Sequence, residues 1–335
     1  MIKEYTSYSL LPHNTFGIDV KAKKYIEFST EEELAALLER GVEQPLLVVG
    51  GGSNLLFVND FNGTVLHSAI TDISIIAEDD NEVLLRVGSG VNWDTLVEYT
   101  VDNGWYGLEN LSLIPGEAGA SAVQNVGAYG VEAGELIHEV EALAVADASK
   151  RVFSQSDCEF AYRYSIFKGP EKGKNVITYV TYRLKKSAPL KLSYGNIKER
   201  VELLGGTTLA NVRKAVCEIR SEKLPLPSEI GSAGSFFMNP VVTPEKAAEL
   251  LAQYPSMPQY KVDGGVKLSA GWLVEQCGWK DTPHPTVGVY KHQALVVINR
   301  GGATGAEVVA FATEVCRSVM ERFNVELHME VNVIE

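Results

Sequence analysis

The chain is poor in paired thiols. Its four cysteines, Cys158, Cys217, Cys277 and Cys316, lie far apart and never form a CxxC pair. Scattered single thiols speak against a disulfide framework or a structural zinc site and for a reducing, cytoplasmic compartment. No apolar run approaches the roughly 20 residues that a membrane helix needs. Met1–Thr6 carries no basic stretch leading into an apolar one, so no secretory signal is expected. Positive charge is in deficit as well. A formal net charge of −13 offers no basic stripe for a nucleic-acid backbone, although local lysines and backbone N–H groups can still hold a small anion.

Familiar chemical signatures are also missing. There is no G-x-x-x-x-G-K-[ST], which removes the P-loop NTPases. Neither Gly50-Gly51-Gly52 nor Gly88-Ser89-Gly90 completes G-x-G-x-x-G, so the usual dinucleotide fingerprint is absent. H-E-x-x-H and G-x-S-x-G do not occur, the six histidines show no ligand spacing, and no metal is expected. A redox or nucleotide function has to use some other cradle.

At 335 residues the chain exceeds one ordinary core and suggests two or three compact units. Thr30 followed by Glu33 reads as a capping box for a helix with Leu34, Leu37 and Leu38 inward. Pro45–Val49 is a short buried-strand pattern. Strand-like runs follow at Val83–Val87 and Val176–Tyr182, with a helix near Asn92–Asn103 burying Trp93, Leu96, Val97 and Val101. Lys185–Pro189 has linker character. Leu209, Val212, Val216 and Ile219 share one face of a further helix. Thr243 and Pro244 open another, and Val308, Ala312, Val315, Val319 and Phe323 stripe a long one. The chain then reads as a strand from Val325 to Ile334 with its odd positions apolar. The class is α+β.

Two glycine-rich loops carry the first functional signal. One is Gly50-Gly51-Gly52-Ser53-Asn54-Leu55, directly after an apolar strand. The other runs from Ile114-Pro115-Gly116-Glu117-Ala118-Gly119-Ala120-Ser121 to Gln124-Asn125-Val126-Gly127-Ala128-Tyr129-Gly130. Without Cβ atoms, successive N–H groups can converge on an anion and the backbone can approach a flat ring. The first loop alone could equally be a tight turn. The second, with paired amides in a long small-residue run, favours a cofactor cradle.

These loops resemble the FAD-binding fold of the PCMH/vanillyl-alcohol-oxidase class, and more narrowly the UDP-N-acetylenolpyruvoylglucosamine reductase (MurB) family. The likeness continues through Asn14–Ile18, Tyr162–Lys168, Tyr194-Gly195, Lys223-Leu224-Pro225, Ala233–Pro240, Gly271–Leu273, His292–Leu295 and Glu330-Val331. Tyr194-Gly195 is similar to the tyrosine-bearing loop of the type I branch. The resemblance implies two FAD-binding subdomains, about 1–68 and 69–212 (cofactor region about 18–187), a substrate-binding α+β domain, about 213–325, and a terminal strand, 326–335, carrying Glu330.

It also implies a reaction: NADPH reduces noncovalent FAD, which reduces UDP-N-acetylglucosamine enolpyruvate to UDP-N-acetylmuramate for peptidoglycan. The cofactor would be met by Gly50, Gly51, Gly52, Ser53, Asn54, Leu55, Pro115, Gly116, Gly119, Ala120, Ser121, Gln124, Asn125, Gly127, Ala128 and Tyr129. No histidine or cysteine stands near either loop's core for covalent attachment. Arg163 is implied as a stabiliser of the developing carboxylate charge, Ser235 as the proton donor to carbon and Glu330 as an acidic partner. Substrate binding falls to Tyr162, Tyr194, Lys223, Asn239, Lys267, Lys280 and Gln293. A UDP-sugar is thus the expected partner, to a monomer without nucleic acid or membrane.

Read alone, these residues are ordinary. Arg163 alternates with Phe160, Tyr162, Tyr164 and Ile166 and would be a solvated strand arginine; Ser235 would be a turn residue. The chain departs from the family pattern at Met238, where lysine or arginine is usual, and at Tyr164, where aspartate is common. Another FAD-dependent oxidase of the same cofactor fold is the alternative, and a flavin or UDP-sugar binder without chemistry is a second.

Overall fold

The computed structural model describes residues 1–280 and 284–335. They form two compact units, each assembled from separate stretches of chain. Unit 1 comprises Met1–Tyr8, Ala22–Gly51 and Asn62–Arg220; unit 2 comprises Ser9–Lys21, Gly52–Phe61 and Ser221–Glu335.

Unit 1 holds two larger sheets and a small two-stranded one, Gly127–Ala128 with Val131–Glu132. In the first, the strand order is Lys3–Ser9, Lys21–Phe28, Phe61–Ser68, Leu46–Val49, and the last pair is parallel. Helix Glu31–Glu39 buries Leu34, Leu37 and Leu38 with Ile26, Phe28 and Leu66 from this sheet. Thr30 accepts from Glu33 N–H at 3.2 Å as expected, while the Glu33 carboxylate reaches one residue further back, to Ser29 N–H at 2.9 Å. The second sheet is antiparallel throughout, in the order Lys150–Ser154, Ile137–Ala144, Asn175–Lys185, Glu82–Gly88, Ile73–Glu78. Helix Trp93–Asp102 buries Trp93, Leu96 and Val97 in that sheet's core and Val101 beside them in sequence, and the Trp93 indole donates to Leu111 O at 2.8 Å. Leu209–Lys223 forms the anticipated helix, its stripe packed on Ile197 and Val201.

Unit 2 contains a sheet ordered Gly231–Ser232, Gln293–Asn299, Val287–Tyr290 and another ordered Val241–Val242, Gly265–Leu268, Gln259–Val262. Thr243 caps helix Pro244–Gln253 by accepting from Lys246 N–H. Helix Gly305–Phe323 buries the whole expected stripe behind a Thr304/Glu307 capping box.

Three local readings need correction. The C-terminal segment keeps its alternation, with Val325, Leu327 and Val331 buried against exposed Glu326 and His328, but only Asn332–Ile334 is regular strand. Its partner there is Leu55–Phe57, in parallel. Residues 328–330 instead exchange isolated bonds with 236–238: Met238 N–H donates to His328 O at 2.9 Å, and Glu330 N–H to Phe236 O at 2.8 Å. Secondly, Arg163 is not on a strand. Ala161 and Tyr164 bond each other across a tight turn, and Arg163 occupies its left-handed position at φ +57°. Thirdly, the small-residue loop contains a short helix, Ala118–Gln124, ended by Asn125 at φ +44°.

Candidate functional site

In unit 1 the two glycine loops are brought together. A Cβ on Gly51 would stand 3.2 Å from Gly116 Cα, and one on Gly50 would stand 3.0 Å from a Glu117 carboxylate oxygen. At Gly51 backbone therefore lies close on backbone, an approach that glycine makes without displacing its neighbour.

The lead-in to the second loop is fixed by two side chains. Leu113 sits at φ +57°, a position costly for a leucine. Asp94 accepts from its N–H at 2.5 Å, and Arg220 donates to its carbonyl at 3.1 Å. Asp94 is held in turn by a two-pronged bond from Arg213, at 2.6 and 3.1 Å. Burial by itself would raise the Asp94 pKa, but the Arg213 and Leu113 hydrogen bonds outweigh it and hold the carboxyl below the ordinary aspartate range. A depressed carboxylate pKa contributes stability above the unfolded-state pKa and loses it as pH falls through the folded value. Asp94→Asn is therefore expected to lower Tm at neutral pH and to flatten the acid loss of Tm below about pH 4. Parallel acid limbs in variant and parent would contradict this.

Helix Ala118–Gln124 divides the expected cofactor residues into two sets. Gly119, Ser121 and Asn125 face inward and are buried, while Pro115, Gly116, Ala120, Gln124, Gly127, Ala128 and Tyr129 keep exposed surface. The Ser121 hydroxyl bonds Ala118 O and Tyr182 OH, both at 2.7 Å. Asn125 donates to Glu132 at 2.7 Å and to Ala161 O at 2.8 Å, and accepts from Gly134 N–H at 2.9 Å. Its amide is thus committed within the protein, as a clasp rather than a ligand donor. A Cβ on Gly119 would stand 2.7 Å from that of Ser89, so this glycine serves close packing. The Ala118 and Gly119 N–H groups are also taken, by Val91 O and Ser89 O at 2.9 Å.

The exposed set has an unforeseen organiser, Lys168. Its ammonium donates to Gln124 at 3.2 Å and to Arg163 O at 2.9 Å, holding the left-handed residue in place. Ser165 adds a bond to Val123 O at 2.8 Å. The outcome is that a guanidinium nitrogen of Arg163 reaches 3.1 Å from where a Gly127 Cβ would sit. Glycine at 127 admits the arginine to the open face of the small-residue segment. The Tyr162 ring centroid is 5.3 Å from Arg163 Cζ. Tyr194, 54% exposed, meets Tyr129 edge-on at 5.8 Å. Tyr164, one of the departures, packs its hydroxyl over Gly169, 2.3 Å from a hypothetical Cβ there.

Unit 2 brings Ser235 and Glu330 onto adjoining segments. Ser235 follows Gly234, at φ +68°, and precedes Phe236, whose N–H donates to Leu295 O at 2.7 Å and whose carbonyl receives Glu330 N–H. Asn54 secures the same place from the other side, donating to Glu330 O at 3.3 Å and accepting from Asn332 N–H at 3.0 Å. Gly52 is buried against His13 and Asn14, and Ser53 and Leu55 are half-buried.

The remaining polar candidates are spread through this unit. Asn239 accepts from Ala270 N–H at 3.0 Å, which leaves its amide N–H groups to be offered. Gln293 lies over Gly271, 3.2 Å from a hypothetical Cβ. Lys280 pairs with Glu275 at 2.9 Å, Lys267 is half-buried in strand Gly265–Leu268, and Lys223 is exposed at the end of its helix. Met238, the second departure, is half-buried and tied through its backbone to His328. No helix among the described residues is long and apolar enough to cross a membrane.

Comparison with known proteins adds the following. Residues 226–334 match the family model described as UDP-N-acetylenolpyruvoylglucosamine reductase, C-terminal domain, and residues 22–153 match an FAD binding domain. The UDP-N-acetylenolpyruvoylglucosamine reductase of Bacteroides fragilis (strain YCH46) is 50% identical, over 98% of this chain and 99% of its own. That of Porphyromonas gingivalis (strain W83 among its designations) is 47% identical, over 98% of both. The crystal structure of UDP-N-acetylenolpyruvylglucosamine reductase (MurB) from Thermus caldophilus superimposes with a TM-score of 0.69 at 22% identity. That match covers 100% of this chain and 99% of the other, and it establishes a shared fold.

Proposed function

This chain belongs to the UDP-N-acetylenolpyruvoylglucosamine reductase family, and from that membership we propose how its residues divide the work. The reaction is reduction of UDP-N-acetylglucosamine enolpyruvate to UDP-N-acetylmuramate through FAD, a step of peptidoglycan synthesis on which cell shape and division depend. NADPH is the hydride donor, and the enzyme acts as a cytoplasmic monomer. The geometric observation that supports this most directly is the Glu330 N–H bond to Phe236 O, which sets Glu330 across from the segment bearing Ser235.

The residues of unit 1 fit a noncovalent flavin nucleotide. The Gly51–Gly116 contact would be filled by any Cβ, and Ala120 and Ala128 put only small, partly exposed side chains along the second loop. Pro115, Gly116, Gln124 and Tyr129 flank them in sequence. FAD bound here supplies the hydride-transfer chemistry, which no side chain can. The chain has to bind, orient and manage charge.

Addition of hydride to the terminal carbon of the enol ether leaves an enediolate on the substrate carboxylate. Arg163 opposes that charge; its left-handed backbone, held by Lys168, aims the guanidinium with little freedom to lose. Ser235 gives its hydroxyl proton to the neighbouring carbon, completing the saturated ether. Glu330 acts as the acidic partner, its position set by backbone bonds to Phe236 and Asn54. Tyr162, Tyr194, Lys223, Asn239, Lys267, Lys280 and Gln293 hold the UDP-sugar, with the lysines on the diphosphate.

Binding contacts made equally in ground and transition states raise KM when removed and leave kcat alone. Lys267→Ala and Lys280→Ala are each expected to raise KM about tenfold, a charge-assisted hydrogen bond's worth, at nearly constant kcat. An unchanged KM in both would place the diphosphate elsewhere. The assignment as a whole is tested by following NADPH and oxygen together. Substrate-dependent NADPH consumption without oxygen uptake supports the reductase; stoichiometric oxygen uptake would instead favour an oxidase of the same cofactor fold.

A further inference from the structure

Glu117 stands at the start of helix Ala118–Gln124, yet its side chain does not cap that helix. It turns to His67, with Oε1 at 2.9 Å from Nε2. The other carboxylate oxygen faces Gly50, at the foot of the first glycine loop. Both side chains are largely buried, at 15% and 14% exposure. His67 lies on strand Phe61–Ser68 opposite Val49, the residue that launches Gly50. One ion pair therefore touches the base of both glycine loops.

Around it the charges balance. His67 Nδ1 is 3.5 Å from a Glu27 carboxylate oxygen, and Glu27 is bound by Lys3. The Tyr25 ring stacks on His67 at 6.3 Å, and Tyr5 and Tyr8 are titratable neighbours of Tyr25 in turn. Two carboxylates thus face one ammonium and one imidazole. Were the imidazole neutral, a net negative charge would remain beside loops suited to an anionic diphosphate, in a setting where water screens it poorly. Burial pushes the His67 pKa down, but the Glu117 hydrogen bond and the nearby Glu27 carboxylate outweigh that and carry it above the ordinary histidine value.

We propose that His67 and Glu117 are positioning residues for the cofactor: the pair braces the feet of both glycine loops, and the His67 charge cancels that of Glu117 so that the FAD diphosphate can bind beside it. This rests on the reading that FAD occupies unit 1.

The test is FAD affinity of the flavin-stripped full chain, read by flavin fluorescence at roughly pH 6 and 8.5, on either side of the histidine range. Wild-type affinity is expected to weaken as His67 loses its proton. His67→Gln, which can still donate to Glu117 but carries no charge, is expected to bind FAD about tenfold more weakly at pH 6, without pH dependence. Glu117→Gln combined with His67→Gln is expected to return to within about threefold of wild type, since the uncancelled charge is gone. A double variant as weak as His67→Gln alone would mean only structural support and overturns the charge argument. Equal affinity of wild type and His67→Gln at pH 6 likewise overturns the proposal. If His67→Gln does not fold, by thermal melting of the apoprotein, Glu117→Gln decides: its affinity at pH 8.5 should exceed that of the wild type, and equal affinity there contradicts the proposal. Failure of the wild type to bind FAD at either pH would instead remove the cofactor reading on which the proposal stands.

Discussion

Ser235→Ala is expected to take up hydride from NADPH at the wild-type rate and then fail to pass it on to product. Reoxidation of its flavin by UDP-N-acetylglucosamine enolpyruvate should slow by about 10²–10⁴-fold, the range attributable to a positioned proton donor. The reasoning is local. Gly234 at φ +68° turns the chain, Phe236 is locked by Leu295, and the hydroxyl between them sits on the segment that Glu330 bonds. Alanine deletes one oxygen from this half-buried site and disturbs none of those backbone bonds. The two half-reactions therefore separate the proton donor from the hydride donor. Normal reoxidation would show that another group supplies the proton; slow reduction as well would show that the variant has lost cofactor geometry.

The largest effect on stability is expected at Gly52. A Cβ there would stand 1.9 Å from His13 O and 2.9 Å from Asn14 Cα, and the backbone is at φ +62°. The opposing loop cannot retreat. Asn14 is buried and bonds Leu10 O at 2.8 Å, Ile18 O at 3.0 Å and Ile18 N–H at 2.9 Å, and Thr15 N–H donates to Gly52 O. Overpacking and the left-handed conformation together should cost roughly 3–5 kcal/mol in Gly52→Ala. That is a large part of a typical folding free energy, so Tm should fall by about 6–20 °C. Gly41 is the control, at φ +84° with nothing within 4 Å of a Cβ; alanine there should cost only about 1 kcal/mol. Equal losses at both positions would show that conformation alone, and not the His13 contact, matters at Gly52.

The contrast between legible and illegible parts of this chain has a physical basis. Helices at 31–39, 93–102, 209–223 and 305–323 carry apolar stripes at helical spacing, and capping side chains mark the starts of all four. Periodicity reports burial on one side, and these helices are buried on one side. Helix Ala118–Gln124 has no such stripe, because Ala, Gly and Ser fill both its inward and outward faces. Reading its residues as one cradle therefore merged two populations. Asn125 and Ser121 belong to the interior, Gln124 and Gly127 to the open face.

Arg163 shows the same limit. Alternating aromatics around it suggested a strand, yet the Ala161–Tyr164 backbone pair closes a left-handed turn, held by the Lys168 ammonium on the Arg163 carbonyl and by the distant Asn125 amide on Ala161 O. Tertiary hydrogen bonds overrode a period of two. His67 and Glu117 were equally invisible, since 50 residues separate them and neither sits in a recognisable spacing. The terminal strand is intermediate: its alternation did predict which residues are buried, but not that regular pairing begins only at Asn332.

The central claim is that this chain passes hydride from NADPH, through FAD, to an enolpyruvyl UDP-sugar. An anaerobic visible absorbance trace tests it most directly, with NADPH added first and UDP-N-acetylglucosamine enolpyruvate second. The flavin spectrum is expected to bleach with NADPH and to return with the substrate. A bleached spectrum that stays bleached until air is admitted would contradict it.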